Sequence, residues 1–391
     1  MYIKRQPPCI TMAGKIPPAH AMDALTSMRF FAALHVMWFH YEFYFFKTRT
    51  VPLSLGYSGV TFFFLLSGFI LSHRYHGVDF SVASQRAAYL VARVARIYPA
   101  YLVAVLLPLA LLLPKFLRGG TDSGEWTMAL VPVLAPLGLQ SWVPGAACAL
   151  NCPTWSVSNE LFFYLVFPLV LPLVLARPRF WLGFILAYAL AICLAYRALW
   201  PDHMQGLSDR NDSITQFMLF FPLSRLPEFL LGIVAFAFWQ RRRGAVPTRM
   251  LLLLAVGGAA LLLAFREAIP EIALHNGLTA MVWVPLILAG AGIRSGLLVR
   301  PPLIFLGRIS YSLYLLHDPA FMLQRVADKH LLGGMLLPMP WLAAAVTTLL
   351  ALGMAVACFF LVEEPGRRAI VTRWSAPAAW RERMRNPVPA P

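Results

Sequence analysis

The chain has 391 residues, of which 59% are hydrophobic and only 13% are charged. This balance excludes an ordinary soluble domain and indicates that lipid is the main solvent. The net charge of +16 does not by itself indicate a nucleic-acid partner, because the basic residues lie in short segments beside the apolar runs, as in membrane proteins.

Ten segments are apolar and long enough to cross a hydrocarbon core, which takes roughly 20 helical residues. The sequence therefore predicts an all-α, polytopic membrane helix bundle of about ten transmembrane helices. In chain order the predicted spans are 29–46, 57–73, 93–113, 159–176, 180–199, 217–238, 250–265, 277–293, 302–324 and 340–362.

A further apolar stretch, 128–143, contains Pro132 and Pro136. Prolines interrupt helices, and irregular backbone at membrane depth is tolerated only where protein or water covers it. We therefore expect this stretch to form part of an outer re-entrant or interfacial loop.

The distribution of lysine and arginine predicts the orientation of the chain. With the N-terminus inside, the inner segments hold 21 of these residues and the outer loops hold 9, while Arg29, Arg225 and Arg308 lie within spans. Positive charge is enriched in cytoplasmic loops, so both termini are predicted to be cytoplasmic.

The chain divides into three predicted parts: a disordered cytoplasmic tail at 1–22, a membrane domain at 23–368 and a basic cytoplasmic tail at 369–391. Residues Met1–Ala21 lack the long apolar core of a cleavable signal peptide. Cys148 and Cys152 lie in a loop predicted to be outside, where a disulfide and two free thiols are both compatible with their spacing.

Charged and polar residues inside membrane spans are costly, so they are the first candidates for a functional site. Arg29 and His40 are eleven residues apart, which places them on one face of the first span, roughly 16 Å apart along its axis. A neutral histidine can accept a proton near neutral pH, which makes His40 a candidate general base. The alternative is a histidine that only bonds a neighbouring helix.

Arg93 and Arg96 begin the third span on one helix face. Their planar guanidinium groups suit phosphate oxygens, although positive charge at this end of a span also serves simply to anchor it. At the start of the fourth span, Ser156 or Ser158 can cap the helix, whereas Glu160 enters the apolar layer and is harder to explain as a cap.

Two later sets complete the candidates. Arg225 and Glu228 are three residues apart and are expected to pair with each other. His317 is either a second polar site near the outer face or an interfacial histidine.

These residues, taken together and in order, resemble the acyltransferase 3 family of membrane O-acyltransferases, and the resemblance covers Asp23 to Arg368. The matching motifs are Arg29 to His40, Phe62 to Leu71 with Ser67-Gly68-Phe69, the pair Arg93 and Arg96, Thr154-Trp155-Ser156 through Glu160 and Tyr164, Gly307 to His317, and Glu363-Glu364-Pro365.

The resemblance implies an O-acyltransferase, most simply an O-acetyltransferase, in the bacterial inner membrane. The co-substrate would be acyl-CoA, with no tightly bound cofactor or metal, and the acceptor a hydroxyl of a surface polysaccharide, lipid-linked sugar or small glycoside. His40 and Glu160 would be catalytic, with Glu160 orienting His40. Arg29, Arg93 and Arg96 would bind the donor, and Trp155, Ser156 and His317 would lie on the acceptor side.

Two other classes of protein remain compatible with these residues. Intramembrane Arg, His and Glu also mark transport paths, so a transporter or flippase of a lipid-linked sugar is the main alternative. A subunit that only scaffolds a polysaccharide assembly is the third, and it would not need His40. No nucleic-acid partner is expected.

Overall fold

The structure is a computed structural model that describes residues 22–46, 55–117, 125–199, 213–242, 245 and 247–374. Within these ranges the chain is helical and has no β-strand, as the all-α prediction requires. The predicted tail at 1–22 lies almost wholly outside the described residues, as does the part of the C-terminal tail after residue 374.

The described ranges contain fourteen α-helices. They are α1 (Asp23–Tyr41), α2 (Ser58–Tyr75), α3 (Ala83–Leu117), α4 (Glu125–Leu137), α5 (Trp155–Ala176), α6 (Pro178–Leu199), α7 (Ser213–Phe220), α8 (Pro222–Arg241), α9 (Thr248–Ala264), α10 (Glu271–Ala273), α11 (Ala280–Gly292), α12 (Pro301–Leu331), α13 (Pro340–Cys358) and α14 (Glu364–Trp374).

Three π-helical segments join or extend these helices, at Glu42–Phe46, Leu274–Leu278 and Phe359–Glu363. A π-helical turn inserts an extra residue, which rotates the side chains beyond it, and such turns are frequent at functional sites. Each of the three segments here carries polar residues that become important below.

Six helical stretches in the described ranges are long and apolar enough to cross a membrane, and α9 is a shorter apolar helix. Every predicted span overlaps a helix, but α1, α2 and α12 are not among the six, so the count of ten stays a prediction. The six are Ala83–Leu112, Cys152–Ala176, Pro178–Leu199, Thr215–Arg241, Glu271–Gly292 and Pro340–Trp374.

The stretch 128–143 differs from the loop that we expected. It begins within α4, a helix of 13 residues that includes Pro132 and Pro136, and continues into a short 3₁₀ turn at Gln140–Trp142. The helix tolerates both prolines, and Val131 and Ala135 on one face are buried. Thirteen residues span only about 20 Å, which is too short to cross a bilayer.

Helix α6 turns a broad apolar surface away from the rest of the protein. Only 17% of its most apolar stretch of 18 residues is buried in the protein. Its large exposed side chains include Phe180, Phe184, Leu186 and Leu190. A contiguous apolar face of this size is unfavourable in water. It suits contact with lipid, which agrees with the membrane class of the chain.

Two close helix contacts position the centre of the bundle. A methyl group on Gly68 would overlap the backbone oxygen of Phe229, and one on Gly232 would overlap that of Leu65, so α2 and α8 touch backbone to backbone. Small residues allow this kind of approach between membrane helices. A methyl group on Gly307 would overlap the backbone oxygen of Thr26, so α12 also touches α1 backbone to backbone.

Candidate active site

The two candidate histidines meet at the contact between α1 and α12. Nδ1 of His40 lies 2.8 Å from Nε2 of His317, and the rings are stacked with centroids 5.0 Å apart. His317 is completely buried, which rules out the interfacial alternative. The first span therefore brings His40 to a partner that lies 277 positions away in the sequence.

The hydrogen bonds of His317 determine where the protons lie. Its Nδ1 is 2.7 Å from the carbonyl oxygen of Tyr314, and a carbonyl only accepts, so this nitrogen must donate. Neutral His317 then accepts at Nε2, and Nδ1 of His40 donates to it. Neutral His40 consequently carries its lone pair on Nε2, the form that a general base needs.

A tyrosine that the sequence analysis missed packs against the histidine pair. The ring of Tyr44, in the first π-helical segment, is stacked on His40 at 6.0 Å, and its hydroxyl donates to Asp318 at 2.7 Å. Asp318 also accepts from the backbone N–H of Cys152 at 3.3 Å. The four-residue spacing of His40 and Tyr44 is a signal that could have identified this contact.

The loop before α5 closes the site on the side of Asp318. A disulfide joins Cys148 and Cys152, which decides between the two alternatives left open by the sequence. Ser156 forms a 2.8 Å hydrogen bond with the hydroxyl of Tyr314, one helical turn from His317. The ring of Trp155 lies over the guanidinium of Arg225, 5.4 Å from its carbon, so this aromatic residue packs toward α8.

The three candidate arginines lie within electrostatic range of Glu160. Arg29, Arg93 and Arg96 all act on its carboxylate, and Tyr164 lies close enough to do the same. We expected Glu160 to orient His40. In the structure His40 is hydrogen-bonded to His317, and the charged groups that act on Glu160 are these arginines.

Arg96 has a second acidic partner, Glu363, in the third π-helical segment. The two form an ion pair, and the other carboxylate oxygen of Glu363 accepts a 2.6 Å hydrogen bond from Ser312. The Glu363 side chain is completely buried. Glu363 belongs to the closing motif of the family resemblance, but nothing in the sequence indicated that it pairs with Arg96.

Arg93 is surrounded by aromatic rings. Its guanidinium carbon lies 5.5 to 6.0 Å from the ring centroids of Tyr75, Tyr89 and Tyr164, and Nη2 donates to the Tyr75 hydroxyl at 3.2 Å. Cation–π contacts of this kind hold a guanidinium in place without neutralising its charge. Arg93 therefore remains a cation with a fixed position.

Helix α12 shows the distance along its axis between the histidine pair and the three arginines. His317 contacts His40, Tyr314 contacts Ser156 one turn below, and the ring of Tyr311 lies 5.5 Å from the guanidinium of Arg96 one turn further down. Six residues of helix correspond to about 9 Å. The histidine pair and the arginine cluster are thus two levels of one site.

The predicted pairing of Arg225 with Glu228 is confirmed. Arg225 binds Glu228 through two hydrogen bonds, of 2.7 and 3.0 Å, and the hydroxyl of Thr61 donates to the same carboxylate at 2.6 Å. All three side chains are buried. This pair joins α2 to α8 near the outer ends of these helices in the predicted orientation.

Comparison with known proteins identifies the family of the chain. The sequence model of the acyltransferase 3 family, described as an acyltransferase domain, matches residues 22–362. Acyltransferase MdmB of Streptomyces mycarofaciens is 31% identical over 362 residues, which cover 87% of this chain and 89% of that protein. Protein 2 in the picA locus of Rhizobium radiobacter is 32% identical over 164 residues, or 38% of this chain and 82% of that protein.

No solved structure matches the chain significantly. The family match covers residues 22–362, which include His40, His317 and the three arginines, and the similarity to MdmB extends over most of the chain. The chain therefore belongs to the acyltransferase 3 family and is an enzyme that transfers acyl groups other than aminoacyl groups.

Proposed function

We propose that this acyltransferase moves an acyl group, acetyl in the simplest case, from cytoplasmic acyl-CoA to a hydroxyl on the outer side of a bacterial inner membrane. The acceptor would belong to a surface polysaccharide, a lipid-linked sugar or a small glycoside. The observation that carries the proposal is the hydrogen bond between His40 and His317, which leaves His40 with a basic Nε2.

The donor would bind at the level of the arginines. This level carries a net positive charge. Its three positive charges come from Arg29, Arg93 and Arg96, and its two negative charges come from Glu160 and Glu363. A net positive charge attracts the phosphates of coenzyme A, and guanidinium groups bind such oxygens bidentately. The thioester would then extend along α12 toward the histidines.

The transfer itself would use His40 as the general base. Its Nε2 accepts the proton of the acceptor hydroxyl while the oxygen attacks the thioester carbonyl. The C–S bond then breaks, and the departing coenzyme A thiolate takes the proton from His40. His317 positions His40 and shares the positive charge that develops on it, because the two rings are hydrogen-bonded.

In this proposal ten helices span the membrane with both termini in the cytoplasm. The arginines then face the compartment that contains acyl-CoA, and His40 lies toward the acceptor. This arrangement separates donor from acceptor and lets one site serve both sides of the membrane.

The test is acyl transfer in membranes given acetyl-CoA labelled in the acetyl group, with wild type and His40→Ala at equal expression. Wild type should form labelled glycan or glycoside and release coenzyme A, and the variant should lose both. A transporter or flippase would move its lipid-linked sugar without consuming the thioester. Equal transfer by His40→Ala would eliminate His40 as the base.

A further inference from the structure

The connection between α9 and α11 contains an irregular segment that the mechanism does not use. Within the π-helical turn Leu274–Leu278, Asn276 leaves the helical region with φ −98° and ψ 40°, and Gly277 has φ 108°. Only glycine adopts that second conformation easily. Irregular backbone within a membrane protein is found where protein covers it or where it lines a cavity.

A chain of aromatic contacts connects this segment to the catalytic histidine. The ring of His275 is stacked on Tyr57 at 3.6 Å, and Tyr57 packs edge-on against Phe39 at 5.7 Å. Phe39 is the residue before His40, and the two rings are 5.5 Å apart. The segment therefore lies on the same side of the protein as the proposed base.

Two buried side chains, one in the π-helical turn and one directly after it, have hydrogen-bonding groups without a partner among the described residues. Asn276 is 3% exposed, and neither its amide nitrogen nor its amide oxygen has a partner among the described residues. The hydroxyl of Thr279, three residues on and 2% exposed, also has none within the described ranges. Leaving a buried polar group unbonded costs about 1–3 kcal/mol, so these three atoms call for a polar partner, which is either water or a ligand.

The charge of the neighbouring residues limits what that ligand can be. A Cβ on Gly277 would lie 3.7 Å from Glu228, so the segment packs directly on the buried pair. Glu228 is already compensated by Arg225 and Thr61. The carboxylate of Glu271 nearby lies 3.7 Å from His275. Asn276 and Thr279 themselves are uncharged, and an amide and a hydroxyl together both donate to and accept from hydroxyl groups.

We propose that Asn276 and Thr279 form an acceptor subsite, which binds neutral, hydroxyl-rich molecules such as a sugar ring through the hydroxyls beside the one that is acylated. The inference rests on the proposed acyl transfer and adds to it the residues that recognise the acceptor. Asn276 and Thr279 take no part in proton transfer, so they control affinity for the acceptor and not the chemistry.

The experiment uses the purified full-length protein, labelled acetyl-CoA and an envelope extract of the source cells as the acceptor, added in serial dilution. Asn276→Ala and Thr279→Val should each raise the extract concentration for half-maximal transfer about three- to tenfold, as expected for one or two lost hydrogen bonds. The KM for acetyl-CoA at saturating extract should stay within twofold. Thr347→Val is the matched control, because Thr347 is also a buried threonine, but its hydroxyl already donates to the carbonyl oxygen of Ala343 at 2.8 Å on α13.

The outcomes separate the two proposals. An unchanged half-saturation in both variants overturns the subsite and indicates that only water bonds these groups. An equal shift in Thr347→Val also overturns it, because the effect is then a general loss of packing. Absence of labelled product with the wild-type protein overturns the proposed function itself, and the subsite with it.

Discussion

The imidazole rings of His40 and His317 share one hydrogen bond, and the second ring nitrogen of His317 is fixed by the carbonyl of Tyr314. This chain of bonds runs in one direction, from His40 through His317 to the backbone. Its consequence is that the tautomer of His40 is set by a residue on another helix. A substitution of His317 should therefore affect the base without touching a substrate.

The first prediction concerns His317. His317→Ala should lower kcat by about 10- to 1,000-fold, since a positioned general base contributes about 10²–10⁴-fold and the variant leaves its orientation undefined. His317→Gln should recover part of this loss, because its amide oxygen can accept from Nδ1 of His40. Initial rates of labelled acetyl transfer measure both.

The double variant His40→Ala, His317→Ala provides the control. If His317 acts through His40, the double variant should be no slower than His40→Ala alone, because residues that act as a unit are not additive. Losses that multiply would contradict the positioning role and would indicate that His317 contacts a substrate directly.

The second prediction concerns the donor. Arg93→Ala should raise the KM for acetyl-CoA about 10- to 100-fold and change kcat little, because a charge-assisted hydrogen bond contributes about 1.5–3 kcal/mol. Arg308→Ala, which removes an exposed arginine on α12, is the matched control and should leave the KM unchanged. An unaltered KM in Arg93→Ala would mean that the residue only anchors α3.

The third prediction tests the contact between α2 and α8. Gly68→Ala and Gly232→Ala should each destabilise the protein by about 1–3 kcal/mol, because the added methyl group overlaps backbone that cannot move aside. Gly183→Ala in α6 has open space around it and should be neutral or slightly stabilising. Thermal unfolding of the purified protein in one detergent compares the three variants, and equal melting temperatures would contradict the close contact.

The fourth prediction concerns the buried pair of Arg225 and Glu228. Arg225→Met alone should destabilise the protein by about 3–5 kcal/mol, because it leaves a carboxylate buried without its cation. The double variant Arg225→Met, Glu228→Leu should regain most of that stability, since a well-packed apolar pair often replaces an ion pair without loss. If the double variant is as unstable as the single one, the pair does more than compensate charge.

Much of this site could be predicted from the sequence, because costly residues within apolar spans are visible without a structure. Arg29, Arg93 and Arg96 were expected to act together, and the structure brings them together around Glu160. The partner of His40 could not be predicted in this way. A contact over 277 positions depends on which helices pack together, and the periodicity of one helix contains no information about its neighbours.

The π-helical segments contain site residues that the sequence analysis did not place. Tyr44, Asn276 and Glu363 lie in these turns, each of which shifts the register of the side chains that follow. Tyr44 and Asn276 were not among the residues considered from the sequence, and Glu363 entered only as part of a motif, without its partner Arg96. Asp318 was missed for a different reason, since it follows His317 directly and helical spacing gave it no obvious partner.

The pairing of α1 with α12 also affects the order of events during biosynthesis. α1 is synthesised early and α12 close to last, so His40 is translated well before His317. The hydrogen bond that fixes the tautomer of His40 can form only when α12 has packed beside α1. In the proposed mechanism, a chain that still lacks α12 would therefore transfer acyl groups slowly, and full activity would await synthesis of nearly the whole chain.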